Sequence, residues 1–366
     1  MDFPFRLPLT ATDVSDDSDP YGRKNNGADI ILAPTENITH SKLKETDSDD
    51  EFSTILKTAV ESVAKNLPDN VMIGAVLSPE TKFSERHSCG EFEEAVFDYL
   101  EKITLIKDCG ADLILLKGHS HLWQMRAAVI AAKQANVPIM IVMTVDDEGE
   151  NEFGINCTAA LITLQALGAN AFGIECTDGT DDQAELLHNI FPHAEIPLIA
   201  MGKFAENSPE QIKTLIYGGA AVFIDTSETP AGWVYDEIRK HESIFDKSSE
   251  KDSYAAAVEC EVFFLPDNIE LSEPIECDYG MSDDLIDMDD ENINSICIRL
   301  NSSDDAALLA ENAAMSRLPV TVHTNDANTL EAALRYFTGR LIVDSRCDID
   351  TKDLHSLTEQ YGAILY

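Results

Sequence analysis

Short, nearly continuous apolar segments recur along the first two thirds of the chain. Each is too short for a helix and is apolar at adjacent as well as alternate positions, which is typical of a strand covered on both faces. A weaker segment of the same kind precedes them at Arg6–Thr12. The seven clear segments are Asp29–Ala33, Val71–Leu77, Ala111–Leu116, Val137–Val145, Ala171–Cys176, Ile196–Met201 and Ala220–Asp225.

Segments with helical periodicity lie between these strands, at Glu91–Lys107, Trp123–Asn136 and Thr158–Gly168. Alternating strands and helices predict a parallel sheet with right-handed crossovers. Eight strands in the first ~240 residues match the size of an α/β (β/α)8 TIM barrel. A doubly wound open sheet is the alternative, because strand order cannot be read from sequence. The stretch Asp13–Asn26 is acidic and not helical in pattern, so we expect the first βα unit to be abbreviated.

The composition changes after residue 242, and this change predicts three regions. We assign the barrel to residues 1–242, an acidic linker or loop region to 243–294, and a second, smaller α/β module to 295–366. The acidic run Asp278–Asn294 is typical of a solvated segment. The strands predicted for the C-terminal module are Ile296–Leu300, Pro319–Thr324, Arg340–Ser345 and Ala363–Tyr366.

The charge of the chain is strongly negative. Asp and Glu total 67 against 26 Lys and Arg, a formal net charge of -41 over 366 residues. This charge repels phosphate backbones and anionic membrane surfaces, so we expect neither nucleic acid nor membrane as a partner. No apolar run approaches the ~20 residues of a membrane span. The 8 cysteines form no CxxC pair, which predicts a reduced, cytoplasmic protein.

Candidate chemistry is confined to the carboxyl ends of the barrel strands, where TIM-barrel active sites lie. These ends carry His, Cys, Asp and Lys side chains in several strands, enough ligand types for zinc, but no spacing singles out three of them. The alternative without metal chemistry is that His119 and His121 are surface loop residues and that Cys176 is a small buried apolar residue. The candidates are His87, Cys89, Lys117, His119, His121, Asp146, Asp147, Cys157, Cys176, Lys203, Asp225 and Glu228.

The stretch Cys157–Thr180 (CTAALITLQALGANAFGIECTDGT) resembles the homocysteine S-methyltransferase family. In that family a helix ending in a Leu-Gly-Ala phrase leads into a strand that closes on a cysteine. The resemblance covers most of residues 1–240 in the right order and implies the barrel fold. Its other parts are Gly27–Leu43, Cys109–Ala132, Glu195–Met201 and Gly218–Pro230.

The resemblance implies methyl transfer to homocysteine through a zinc ion held by three cysteines, with the substrate thiolate as nucleophile. Cys176 matches the family cysteine that closes strand six. The other two zinc-binding cysteines of the family are an adjacent pair after strand eight, where this chain has Phe223–Ser227 (FIDTS). The cysteine pair is therefore absent.

Two further motifs differ. The family's first strand ends in an Asp-Gly phrase that embraces the amino-acid end of the substrate, where this chain has Ala11–Val14 with Asp13 as its carboxylate. The fourth strand ends in a glutamate that faces the substrate amine, where this chain has Lys117. A lysine repels an ammonium group that a glutamate attracts.

The C-terminal module resembles part of the pterin-binding domain that follows the homocysteine domain in cobalamin-dependent methionine synthases. The resemblance rests on Leu318–Thr324 (LPVTVHT), Gly339–Ser345 (GRLIVDS) and Tyr361–Leu365 (YGAIL). The positions that supply Asp and Asn to the pterin ring read His323 and Asp344 here.

These features support three hypotheses. The first is a non-catalytic barrel, with Lys117 and Asp13 at a binding site for a small thiol or amino acid, or a partner of corrinoid methyltransferase components. The second is an active methyltransferase with a rebuilt zinc site of Cys176, Asp225 and His119, completed by His121 or Cys157. The third is metal-free chemistry at Lys117 or Lys203.

Overall fold

The computed structural model describes residues 5–13, 27–36, 38, 49–64, 67–68, 70–80, 88–228, 231–242, 254–278, 280–281, 285, 293–312 and 315–366. The predicted first βα loop at 14–26 and most of the acidic run at 279–292 lie outside these residues, as do His87, Thr229 and Pro230.

Eight parallel strands close into a barrel in sequential order, with β8 paired to β1. This confirms the predicted TIM barrel and excludes the open sheet. The strands are Leu9–Asp13 (β1), Ile30–Ala33 (β2), Met72–Leu77 (β3), Leu113–Lys117 (β4), Ile139–Val145 (β5), Ala171–Cys176 (β6), Leu198–Gly202 (β7) and Ala220–Asp225 (β8).

Helices follow the strands from β2 onward and form the outer layer. They begin and end where local sequence allows: Ser88 and Glu91 form a capping box, and the helix before β6 ends at Gly168 with φ 117°. The barrel helices are Asp49–Ala64 (α1), Cys89–Asp108 (α2), Leu122–Ala135 (α3), Cys157–Leu167 (α4), Thr180–Ile190 (α5), Pro209–Tyr217 (α6) and Gly232–Lys240 (α7).

The inside of the barrel is a packed core rather than a channel. Its side chains form one cluster, separate from the larger cluster between strands and helices. Gly173 is required in β6, since a Cβ there would lie 2.0 Å from the carbonyl oxygen of Ile199 in β7. The interior residues are Leu9, Ala11, Ile30, Leu32, Val76, Leu113, Leu115, Met140, Val142, Ala171, Ile199, Met201, Val222 and Ile224.

The C-terminal module is built on a five-stranded parallel sheet in the order β11-β12-β13-β14-β15. The region predicted as an acidic linker supplies β11 to it, and also a β9–β10 hairpin that packs on α4. The elements are Ala255–Ala257 (β9), Val262–Phe264 (β10), Ile275–Glu276 (β11), Ile296–Arg299 (β12), Ser303–Asn312 (α8), Val320–His323 (β13), Ala327–Tyr336 (α9), Ile342–Val343 (β14), Thr351–Tyr361 (α10) and Ile364–Leu365 (β15).

The module docks on the helical flank of the barrel through two cations at helix ends, the buried Arg126 and the half-buried Lys133. Arg126 in α3 is 1% exposed and donates to the carbonyls of Leu334, at 2.8 Å, and Phe337, at the end of α9. Lys133 donates to the carbonyl of Leu167 and, from α10, to that of Gln360, both at 2.7 Å. Unpaired carbonyls and the negative end of the helix dipole make a helix C-terminus a favourable place for a cation.

Within the described part of the chain, no helix combines the length and apolar character needed to cross a membrane.

Candidate functional site at the barrel mouth

Three polar side chains face the barrel axis where β4, β5 and β6 end. Lys117, Thr144 and Glu175 share the side of their strands with interior residues such as Leu115 and Val142, because side chains alternate along a strand. Thr144 and Glu175 are register partners in adjacent strands. The carboxyl ends of β4 to β6 therefore place a cation, a hydroxyl and a carboxylate around one opening.

Lys117 is held at this opening by Glu36, which follows β2. Its Nζ lies 3.4 Å from Oε1 of Glu36, and the two side chains are 20% and 39% exposed. Such a partly solvated pair is weak and can exchange partners with a ligand. Asp13 ends β1 opposite Leu32 in β2, and its side chain lies outside the described part of the structure.

Cys176 ends β6, at the position predicted for a zinc ligand. It shares the side of the strand with Ile174, which belongs to the cluster between barrel and helices, so it alternates away from the barrel axis. Its Sγ lies 3.7 Å from the carbonyl oxygen of Asp146. The thiol is partly exposed.

Asp225 ends β8 and is 1% exposed. Its Oδ1 accepts hydrogen bonds from the backbone N–H of Phe204, at 3.3 Å, and from the backbone N–H and hydroxyl of Ser227, at 3.0 and 2.5 Å. It lies on the same side of the strand as Phe223, which belongs to the outer cluster. Asp225 thus ties together the loops that follow β7 and β8.

His119 is buried beneath the loop that follows β4, at 3% exposure. Its Nε2 lies 2.8 Å from the hydroxyl of Tyr99, and its Nδ1 lies 3.1 Å from the carbonyl oxygen of Lys117. Burial lowers the pKa of His119 to about 3, and the nearby Lys102 ammonium lowers it further, against the Lys117 carbonyl that raises it. The ring is neutral at pH 7 and both of its nitrogens are engaged.

The side chains predicted as zinc ligands are not brought together. Among the residues that the structure describes, no three His, Cys, Asp or Glu side chains are placed so that they could hold a metal ion. Oδ1 of Asp225 is engaged by Phe204 and Ser227, whereas its Oδ2 is buried without a hydrogen-bond partner among the described residues. Both ring nitrogens of His119 are engaged, by Tyr99 and by the carbonyl of Lys117. The described residues do not fit a zinc ion, and the mixed Cys/Asp/His site stays a prediction from sequence.

Glu175 and Thr144 were not among the sequence candidates. Glu175 lies inside the segment AFGIEC, one residue before Cys176, the predicted zinc ligand. The sequence signal for Glu175 is a charged residue inside an otherwise apolar strand. It lies on the same side of the strand as Ala171 and Gly173.

The fold and its mouth define a (β/α)8-barrel protein whose polar groups gather at the carboxyl ends of the strands. The family model described as homocysteine S-methyltransferase matches residues 23–240, more than half of the chain. The chain therefore belongs to the homocysteine S-methyltransferase family. The match ends before the C-terminal module, whose resemblance to a pterin-binding domain stays a prediction.

The chain is similar to methionine synthase of Mycobacterium tuberculosis (strain ATCC 25618 / H37Rv), with 26% identity over 191 residues, 48% of this chain and 16% of the relative. It is similar to methionine synthase of Mycobacterium leprae (strain TN), with 28% identity over 109 residues, 28% of this chain and 9% of the relative. It thus spans less than a fifth of the length of these curated relatives. The apo form of the homocysteine methyltransferase MmuM from Escherichia coli shares 12% identity at a TM-score of 0.48, covering 63% of this chain and 95% of that one.

Proposed function

We propose that this chain is a non-catalytic member of the homocysteine S-methyltransferase family that binds a small amino acid at the barrel mouth, as a component of a methionine or corrinoid methyl-transfer system. The observation that carries the proposal is Asp225. Where the resemblance would place the family's cysteine pair, the chain has the buried carboxylate of Asp225, whose Oδ1 is hydrogen bonded to Ser227 in the same loop. Without a coordinated metal ion, a substrate thiol at the mouth would lack the metal–thiolate bond that keeps it deprotonated in the family's reaction.

The ligand class follows from the charges at the mouth. Lys117 and Glu175 face the barrel axis from β4 and β6, and two strand spacings with a two-residue offset along the strands separate their backbones by about 12 Å. Long side chains of opposite charge at this separation suit the carboxylate and ammonium of an amino-acid zwitterion. Thr144, between them, adds a hydroxyl. Glu36 would give up Lys117 when a carboxylate enters.

The second candidate function is an active thiol methyltransferase, and the observation that favours it is Cys176. Its thiol is partly exposed at the end of β6, where the family's resemblance places a zinc ligand. This function needs Asp225 to reach the metal through its unpartnered Oδ2, or His119 to leave its hydrogen bonds to Tyr99 and Lys117.

One pair of assays separates the two functions. We expect calorimetric titration to give saturable binding of methionine and of homocysteine with affinities within tenfold of each other, because no metal–thiolate bond favours the thiol. Lys117→Ala and Glu175→Gln should each weaken binding at least tenfold, whereas Lys352→Ala, at an exposed position of α10, should leave it within twofold.

The same protein, incubated with homocysteine and methylcobalamin, should form no methionine above the protein-free rate. Turnover that Cys176→Ser abolishes would establish the second function instead. The absence of saturable binding of either amino acid would contradict the proposed ligand class.

A further inference from the structure

A cavity lies at the carboxyl edge of the five-stranded sheet of the C-terminal module. Its volume is about 650 Å³, which is ample for a small organic molecule. Arg299 and His323 are the last residues of β12 and β13, and Asp344 and Arg346 follow β14. In open parallel sheets, ligands bind outside the carboxyl ends of the strands.

The polar wall of this cavity is a preorganised network. Asp344 is 2% exposed, and its Oδ2 lies 2.9 Å from Nδ1 of His323. Nε and Nη2 of Arg346 donate to the two oxygens of Asp344 at 2.8 and 2.9 Å. Burial raises the pKa of Asp344, but the hydrogen bonds from Arg346 and His323 outweigh it, so that the pKa lies below its ordinary value. The carboxylate therefore fixes the orientation of His323 and Arg346. Because Asp344 occupies Nε and Nη2 of Arg346, a ligand would meet this guanidinium at Nη1.

Arg299 completes the basic side of the cavity. It is the register partner of His323 on the adjacent strand, and its Nη1 lies 3.0 Å from Oε1 of Glu276. The Arg299 and Glu276 side chains are 43% and 57% exposed, and a pair this exposed contributes little. A chain with 26 basic against 67 acidic residues thus places two guanidinium groups and an imidazole on three neighbouring strand ends.

Apolar side chains of Ile269, Leu271 and Pro274 also line the cavity, together with Tyr366, whose hydroxyl accepts a hydrogen bond from the backbone N–H of Ile269 at 2.8 Å. Glu273 lies at the exposed rim, where solvent screens its charge. A planar carboxylate matches the fork of a guanidinium, and a single negative charge is opposed less than a phosphate dianion by Glu273, Glu276 and the chain's overall charge.

We infer that this cavity is a binding site for a small organic monocarboxylate, with its charged end on Arg299, Arg346 and His323 and its apolar body against Leu271 and Pro274. It is a site distinct from the barrel mouth, and it does not depend on the function proposed there.

Ligand-detected NMR titration of the full chain tests this site, with benzoate as probe, benzamide as its neutral isostere and inorganic phosphate as the alternative anion. We expect saturable benzoate binding and at least tenfold weaker binding of benzamide. Arg299→Gln and Arg346→Gln should each weaken benzoate binding at least tenfold. Arg317→Gln, at an exposed position outside the cavity, should leave it within twofold.

Arg299→Gln leaves the Asp344–Arg346 pair intact, so it reports on binding even where Arg346→Gln lowers stability. Equal binding of benzoate and benzamide, benzoate binding that Arg299→Gln does not weaken, or no saturable binding of benzoate would overturn the inference. Phosphate binding tighter than benzoate would overturn the assignment to a carboxylate.

Discussion

At the scale of single residues, the polar side chains at the barrel mouth differ in how far their hydrogen-bonding atoms are already engaged within the folded structure. Asp225 and His119 have the chemistry of metal ligands, yet their hydrogen bonds to Ser227 and Tyr99 serve the folded structure. Lys117 and Glu175 have ordinary surface chemistry, yet they face the barrel axis. The sequence analysis singled out Lys117 together with Asp225 and His119 but missed Glu175, because residue type does not reveal the partners that decide what a side chain can still bind.

The buried state of His119 predicts a pH effect on stability. Its pKa is lowered to about 3 in the folded state, against about 6.5 when unfolded. Between these values the unfolded chain binds a proton that the folded chain excludes, so stability falls as the pH falls. From pH 7 to pH 5 the wild type should lose about 2 kcal/mol more unfolding free energy than His119→Gln.

Urea denaturation at the two pH values measures this difference, and the carboxylates common to both proteins cancel in it. The matched control is His355→Gln, at an exposed position of α10, which should keep the wild-type pH dependence. An identical loss of stability in His119→Gln and wild type would show that His119 does not titrate in this way.

At the scale of elements, the sequence predicted the barrel strands because each is a continuous apolar run between helical segments. Because these runs are apolar at adjacent positions, they do not indicate which side of the strand a residue at its end faces. In β8, both Phe223 and Ile224 are fully buried, one outside and one inside the barrel, so no alternation marks the side on which Asp225 lies. Strands β9 to β11 are two or three residues long, too short for any periodicity to appear.

The contact between α3 and α9 predicts how the two modules stabilise each other. Arg126→Met keeps an apolar stem of similar length and removes the guanidinium that pairs the carbonyls of Leu334, Arg335 and Phe337. Leaving buried carbonyls without donors should cost about 2–4 kcal/mol of unfolding free energy.

Chemical denaturation followed by circular dichroism measures this cost. Arg317→Met, which removes an exposed guanidinium from the same module, should change the unfolding free energy by less than ~0.5 kcal/mol. An Arg126→Met cost as small as that of the control would contradict the docking role of Arg126.

At the scale of the whole molecule, a family barrel and a docked α/β module each present a polar opening at the carboxyl ends of parallel strands. The chain has a net charge of -41, yet both openings contain basic side chains. They are Lys117 at the barrel mouth and Arg299 and Arg346 at the opening of the module. We propose that the barrel has kept the fold of the homocysteine S-methyltransferase family but not its zinc site, and that it binds a ligand through different side chains at the same end of the barrel.

The most direct test of this account is the zinc content of the purified, untagged chain, by elemental analysis after exposure to equimolar zinc and desalting. We expect that no zinc is retained, and that Cys176→Ser gives the same result as the wild type. About one zinc per chain, lost in Cys176→Ser, would contradict it and would establish a metal site at the barrel mouth.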